Sequence, residues 1–503
     1  MLYQPRKVYE MWDTWMYYHK GTHYLFYLHR TDQSVWRGST LIAYWDGISV
    51  ATSHDGVHYE EVGPIIHKAD DAIWLGSGAV WQTGSTFIQN FSENREGLQG
   101  VYFAESDDLI HWRRLGNEYR CVPDPRWYDV TPNGRWDCIW RVPKADGGYW
   151  GYLTARPAAS DTVVGDTVGR VVSQDGRHWQ AVPPPQFDWG NSAPIQVNEV
   201  GAVERIGERF YMIIGNSENY FGSRHTTEQI GGSAGMFLFS SVTAEGPFRP
   251  EIDAFRFLTS SHGATYFARF YPTPEEMLVS HHAIERCGDD PRIWMSPLKR
   301  AALDSKGHLR LHYWHGNDVL KGQQVPLDLS MLEVIKIDAS SGAAWNLAPS
   351  RCEVAQDYTG ALGLFPTRFD VNKGVMIEGA LWVDKAAPGW SSVGFFIERE
   401  GTSSGTTGTA VLAQTRSRTE IGHFSISEHG VYFAADDMGD QGIAASQSAR
   451  FRFLLRQTMI EFYLDDLLIR SYSLPTPPSG RLGLMVESGH AIFEDISAWE
   501  MTV

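Results

Sequence analysis

The sequence predicts an all-β protein, a five-bladed β-propeller followed by a β-sandwich, and three observations predict it. Short β-branched and aromatic runs dominate the chain: "GTHYLFYLH" from Gly21, "GVYFAES" from Gly100, "GGYWGYLTAR" from Gly147, "GERFYMIIGN" from Gly207 and "EEMLVSHH" from Glu275. Gly, Asp, Asn and Pro bound them, and long amphipathic helical patterns are absent. A seven-residue pattern, Ser-x-Asp-x-x-His-(Trp/Tyr), recurs as "SHDGVHY" at Ser53, "SDDLIHW" at Ser106 and "SQDGRHW" at Ser173. Beyond about residue 345 that repeat stops and alternating strands with hairpin turns take over.

Each repeat follows a strand-like run. Ser and Asp side chains bond nearby backbone N–H groups and fix a tight turn, and the aromatic packs back on the sheet. A degenerate fourth copy, "SSVTAEGPF", starts at Ser240. The spacings, 53, 67 and 67 residues, match one four-stranded blade with its loops, so residues 1–345 have room for five blades. The repeated Ser, Asp and His are structural, because residues that recur in every unit maintain the unit. Residues 346–358 are expected to form a linker and 359–503 a β-sandwich, with strands such as "VMIEGALWV", "SVGFFIER" and "GRLGLMVES". The stretch "SGTTGT" near Gly405 reads as a flexible loop. Glu461, Asp465 and Asp466 of "MIEFYLDDLLIRSYSL" read as solvated turn or edge residues.

With 503 residues, 43% hydrophobic and 20% charged, the chain is expected to hold two domains. A net charge of −17 excludes nucleic acid or an anionic membrane surface as partner, both of which need a basic footprint. It suits a neutral small-molecule or oligosaccharide substrate, as does the abundance of aromatic rings: 19 Trp, 22 Tyr and 24 Phe. Cys121, Cys138, Cys287 and Cys352 are widely spaced, with no CxxC pair, and read as free thiols. No signal-peptide-like run opens the chain, and no stretch approaches the ~20 apolar residues of a membrane span, so a cytoplasmic protein is expected.

Nucleophilic serine chemistry lacks a Gly-x-Ser-x-Gly elbow on a strand-to-helix turn, and no phosphate loop or zinc motif is present. His281 and His282 are adjacent and are expected on opposite faces of one strand. What remains is carboxylates in aromatic surroundings: Asp13 in "MWDTW", Asp137 in "GRWDCIW" and Glu199 in "VNEVGAVERIGERF". Each opens a strand-like run in a different blade. In a propeller the first strand of each blade lines the central channel, so acids there converge. Paired carboxylates are what glycoside hydrolysis needs, one to attack or stabilise the sugar cation and one to protonate the leaving oxygen.

These stretches resemble glycoside hydrolase family 32, the invertase, inulinase and levanase group. "WDTWMYYHKGTHYLFYL" is similar to the family's Asn-Asp-Pro-Asn-Gly and its Tyr-rich strand, which would make Asp13 the nucleophile. "IWLGSGAV" is similar to its Trp-Ser-Gly-Ser, "SDDLIHWRRLG" to its Ser-x-Asp-Leu-x-x-Trp turn, and "HGATYFARFY" to its Gly-x-Asp-Phe-Tyr-Ala, with Thr265 at the Asp. "RWDCIW" stands at the family's Arg-Asp-Pro and "NEVGAV" at its Glu-Cys-Pro-Asp. The resemblance thus implies Asp137 as transition-state stabiliser and Glu199 as general acid/base, with Glu204 the alternative if the register slips. It implies a retaining furanoside hydrolase without a cofactor, β-fructofuranosidase-like, with a non-sucrose fructoside or a fructan oligosaccharide as the expected substrate. Trp12, Trp15, Trp74, Ser77, Trp136 and Trp140 are the implied subsite walls, and Arg135 or Arg141 would bind a hydroxyl or orient Asp137. An inverting arabinofuranoside-directed hydrolase, a fructosyltransferase and a non-catalytic sugar-binding propeller are the other readings. Trp12, Thr14 and Trp15 stand where the family keeps Asn, Pro and Asn, which argues against fructose itself.

Overall fold

The computed structural model describes the chain except residues 32–35, 38–39, 42–44, 133, 159–165, 191–196, 198, 217–233, 261–264, 286–291, 336–342, 385–388, 400–405 and 428–429. The described residues are almost entirely strand, in a propeller arrangement joined to a large C-terminal sheet assembly. Four separate antiparallel sheets follow in chain order. Their innermost strands are Glu10–His19, Ala72–Thr83, Trp136–Pro143 and Glu199–Ile206. A further meander begins with Thr265–Pro272 and runs through Met277–Glu285, Lys299–Leu303 and Leu309–Tyr313. It has the same order as the others but is continuous with the C-terminal sheet through a His312–Leu467 pairing. The five inner strands touch one another in a closed ring. The N-terminal segment pairs with the fifth meander, Tyr3 opposite Met295.

The Ser-x-Asp-x-x-His repeats occupy one place in three sheets, the connection from third strand to outer strand. Ser53, Ser106 and Ser173 end the third strands. In the first copy Asp55 accepts from the backbone of Val57 and His58 and from the His58 ring at 2.7 Å, while Ser53 Oγ accepts from Gly56 N. The same bonds recur around Asp108 and Asp175. Partial burial works against the Asp55 anion, but these donors outweigh it and hold the carboxyl well below the usual range. The degenerate copy lacks the Asp and His and keeps different turn bonds, Thr243 N to Ser241 Oγ and Thr243 Oγ1 to the Gly246 carbonyl.

The C-terminal half is built on two long strands, Arg351–Arg368 and Pro478–Met501, around a core that includes Phe365, Phe395, Phe453, Phe462, Leu484 and Phe493. Residues 346–358, expected as a linker, instead form a hairpin of this sheet, Ala344–Ala348 pairing with Arg351–Arg368. The alternation of Cys352 and Val354, buried, with half-exposed neighbours is the period-2 signature of a half-buried strand. The loop expected near Gly405 falls partly outside the described residues, and from Thr406 the chain is strand.

Two buried ion clusters fasten the halves together. Lys299 pairs with Glu461, which also accepts from Tyr463 Oη at 2.5 Å. Asp437 is held by Arg470 at 2.7 Å and Arg256 at 3.5 Å. Glu461 is therefore a buried partner and not the solvated residue expected, whereas Asp465 and Asp466 do form the turn, both at positive φ. Cys121, Cys138 and Cys352 are free and buried, and Cys287 lies outside the described residues.

Candidate active site

Every inner strand carries a register irregularity near its start: Trp12/Thr14, Leu75/Gly78, Asp137/Trp140, Val200/Ala202 and Tyr266/Arg269. A β-bulge inserts an extra residue, bends the strand and re-aims side chains. Here the bulges form a belt around the channel, and Asp13 and Asp137 sit on it. Cys138 and Phe267, both non-glycine, take positive φ values of 33° and 57° in this belt.

Asp13 is 9% exposed and Asp137 8%, and Glu199, the first residue of its strand, is half-buried. One guanidinium ties two of them together. Arg135 Nη2 donates to Glu199 Oε1 at 2.6 Å and to Asp137 Oδ2 at 3.4 Å, while Nη1 donates to Asp166 Oδ2 at 3.1 Å. Asp137 Oδ1 accepts from Ser92 Oγ at 2.5 Å. Gln99 backs that serine, its Nε2 donating to Ser92 Oγ at 3.2 Å and its Oε1 accepting from Trp136 N. Gly76 is obligatory beside this pair, since a Cβ there would lie 2.3 Å from Ser92 Oγ and 3.1 Å from Asp137 Oδ1.

Arg269, fully buried, crosses the channel below the carboxylates. Its Nη1 donates to the Gly78 carbonyl and its Nη2 to Cys138 Sγ at 3.0 Å, with its charge 4.3 Å from the Phe267 ring centre. Asp13 is pushed well above the carboxylate range, first by burial and then by the charge of Glu199 and Asp137, against the pull of Arg269 and Arg135. Glu199 is also raised: burial leads, Arg135 opposes it, and Asp137 adds to it. Raised carboxyls clustered in a cleft are a mark of acid–base sites. Tyr266 places a buried hydroxyl, without a hydrogen-bond partner among the described residues, within the field of Glu199 and Asp13.

The expected aromatic walls divide. Trp12 is half-buried, stacked on Trp45 at 5.8 Å and tilted against His282 at 5.2 Å. Trp74 is half-buried with its ring beside Gly76. Trp15 and Trp136, 1% and 0% exposed, are core residues packed on Phe26 and Tyr128. Ser77 is buried in the neighbouring bulge. Thr265 opens its inner strand and is buried. Trp140, Arg141 and Glu204 are not with the carboxylates. They lie farther along their strands, around a separate cavity. His281 and His282 do face opposite ways, His281 toward Glu461 and His282 toward Trp12. Burial leaves His282 neutral, its pKa lowered to about 3.

Sequence reading missed Ser92, Gln99, Arg269 and Tyr266. Arg269 alone carried a local signal, a single charge within the apolar run "TYFARFY".

Solved structures share this architecture over nearly the whole chain. Fructan 1-exohydrolase IIa from Cichorium intybus matches with a TM-score of 0.66 at 13% identity, covering 99% of this chain and 96% of its own. Sucrose-6-phosphate hydrolase from Lactobacillus gasseri matches with a TM-score of 0.66 at 12% identity, covering 98% and 91%. The GH32 β-fructofuranosidase of Bombyx mori matches with a TM-score of 0.63 at 12% identity, covering 98% and 92%. The chain has the glycoside hydrolase family 32 fold. At this level of identity the likeness is one of fold. No family model and no curated protein matches the sequence. Among the described residues, no helix is long and apolar enough to cross a membrane, and no His/Cys/Asp/Glu cluster could hold a metal ion.

Proposed function

We propose that this protein is a retaining glycoside hydrolase acting on a furanoside. The observation that carries the reading is the convergence of Asp13, Asp137 and Glu199, from three separate inner strands, around Arg135 at one largely buried site. The family 32 fold supports it, and a variant of the Bombyx mori enzyme has been solved with sucrose. The meander from Thr265 is then the fifth blade, and the catalytic unit is the propeller, within residues 1–345.

The ionised form of Asp13, which Arg269 and Arg135 favour against burial and the neighbouring acids, attacks the anomeric carbon as the bond to the leaving oxygen breaks. Glu199 gives its proton to that oxygen, so the alcohol leaves neutral and the sugar remains as an ester of Asp13. Glu199, now ionised, takes a proton from water, whose oxygen attacks the anomeric carbon and frees Asp13. Burial, and after it the charge of Asp137, raises Glu199 against the pull of Arg135, the direction that the first step needs. Arg135 steadies the ionised state that follows. Asp137, oriented by Ser92, bonds sugar hydroxyls and supports the oxocarbenium-like transition state. Trp12 and Trp74 are the walls. Trp12 and Thr14 replace residues that grip fructose in family 32, so the substrate is a furanoside other than sucrose.

The test is a panel of sucrose, inulin, levan and arabinofuranosides, with products followed by NMR. Cleavage with the first-formed anomer retained, and no cleavage by Asp13→Ala, is the expected result. First-formed anomer inversion would make Asp13 a base instead. No cleavage of any furanoside, with Asp13→Ala binding sugar as wild type does, would leave a non-catalytic binding propeller.

A further inference from the structure

A second cavity, of about 350 Å³, opens where the inner strands end, at the mouth of the channel away from the carboxylates. All five inner strands contribute to it: Tyr17 and Tyr18, Trp81, Trp140 and Arg141, Glu204, and the Tyr271 region. From Asp13 to Tyr17 and Tyr18 is four to five residues, about 13–16 Å at strand rise. The buried Arg269 lies between the two sites, its guanidinium 5.8 Å from the Trp140 ring.

The polar groups of this cavity are only half used. Trp140 Nε1 donates to Glu204 Oε1 at 3.2 Å, and no described residue bonds the other oxygen. Arg141 is positioned by one bond, Nη1 to the Gln82 carbonyl at 3.1 Å, and by the faces of Tyr149 at 4.4 Å and Trp81 at 5.7 Å. Among the described residues no carboxylate pairs with it, and Glu204 acts on it only from farther away. The cavity thus offers a fork of donors and a carboxylate acceptor between half-exposed aromatic rings. A cation is repelled by Arg141, and an anion gains nothing from Glu204, whose carboxyl burial raises to about 7 and which repels it once ionised. A neutral ring with vicinal hydroxyls accepts from one and donates to the other, and its C–H face lies on the tyrosines and Trp140. The volume is at the small end of small-molecule pockets and suits one or two rings.

We propose that this mouth of the channel is a second, non-catalytic binding site for a neutral mono- or disaccharide. It stands on its own residues and does not depend on the reading of the carboxylate site.

The test uses the full-length chain carrying Asp13→Ala, titrated calorimetrically with fructose, arabinose, glucose and sucrose, with crystals soaked in whichever sugar binds. The expected result is a sugar ring against Trp140 with hydroxyls on Arg141 and Glu204. Arg141→Met and Tyr18→Ala, each checked for an unchanged melting temperature, should each weaken that binding at least tenfold and leave any binding at the carboxylates intact. If one variant fails to fold, the other carries the test. Sugar found only at the carboxylates, no binding at millimolar concentration, unchanged affinity in the variants, or inorganic phosphate seated on Arg141 to the exclusion of sugar would each overturn the proposal. None of those outcomes touches turnover at Asp13.

Discussion

Ser92→Ala isolates one bond of the proposed machinery. Ser92 is fully buried and lies on the second strand of its sheet, so its hydroxyl meets substrate in no simple way; it reaches Asp137 Oδ1 at 2.5 Å. A hydroxyl donating to a carboxylate at this length is a charge-assisted bond, and removing such a bond costs about 1.5–3 kcal/mol. If Asp137 must hold one orientation to support the transition state, the loss falls on catalysis at about 10- to 150-fold in kcat/KM. The remaining direct contact is Arg135 at 3.4 Å, too long to restore the orientation. The change removes a single oxygen, so the fold should lose little beyond the bond itself, although Gln99 Nε2 also loses its acceptor. The assay is steady-state kinetics on the best furanoside of the panel, with the melting temperature measured beside it. The fall should appear in kcat, with KM changed by less than threefold, because the bond serves the transition state. A kcat/KM within twofold of wild type, in a variant where Asp137→Ala is inactive, would refute the claim that Ser92 orients Asp137.

Three further outcomes are expected. Asp13→Asn should abolish turnover yet melt at a higher temperature than wild type near pH 7–8. Asp13 has its folded-state pKa raised, so its contribution to stability is present below the unfolded value near 3.9 and is lost as pH rises through the folded one; the gap should close toward pH 4, and a lower melting temperature for Asn at pH 8 would contradict this. In Arg135→Gln the alkaline limb of the pH–rate profile should move to higher pH, because Arg135 opposes the raised pKa of Glu199; an unmoved limb would remove Arg135 from the proton inventory. Lys299→Met should destabilise the folded chain by about 3–5 kcal/mol in denaturant titration, since it leaves Glu461 charged and unpaired in a buried interface; a loss under 1 kcal/mol would mean that the pair is dispensable to the joint between the halves.

The sequence by itself determined what is local and periodic. Alternating strands, the Ser-x-Asp-x-x-His turn and its spacing depend on neighbours within a few residues, so they are legible along the chain. The three acids were legible for the same reason, each opening a channel strand in its own sheet. Tertiary structure alone decided which side chains share a space. Trp15 and Trp136 look identical in type to Trp12 and Trp74, but pleat and bulge turn the first two into the core. Trp140 and Arg141 stand three and four residues from Asp137, yet an inner strand carries them to the other mouth of the channel. Ser92 reaches Asp137 from 45 residues away and Arg269 reaches the adjoining Cys138 from 131, and no pattern in one dimension encodes a contact that only closure of the propeller brings about. Glu461 repeats the lesson at the joint between the halves. It reads as a surface acid in a hairpin, and only the packing of Lys299 against it, 162 residues away, makes it a buried ion.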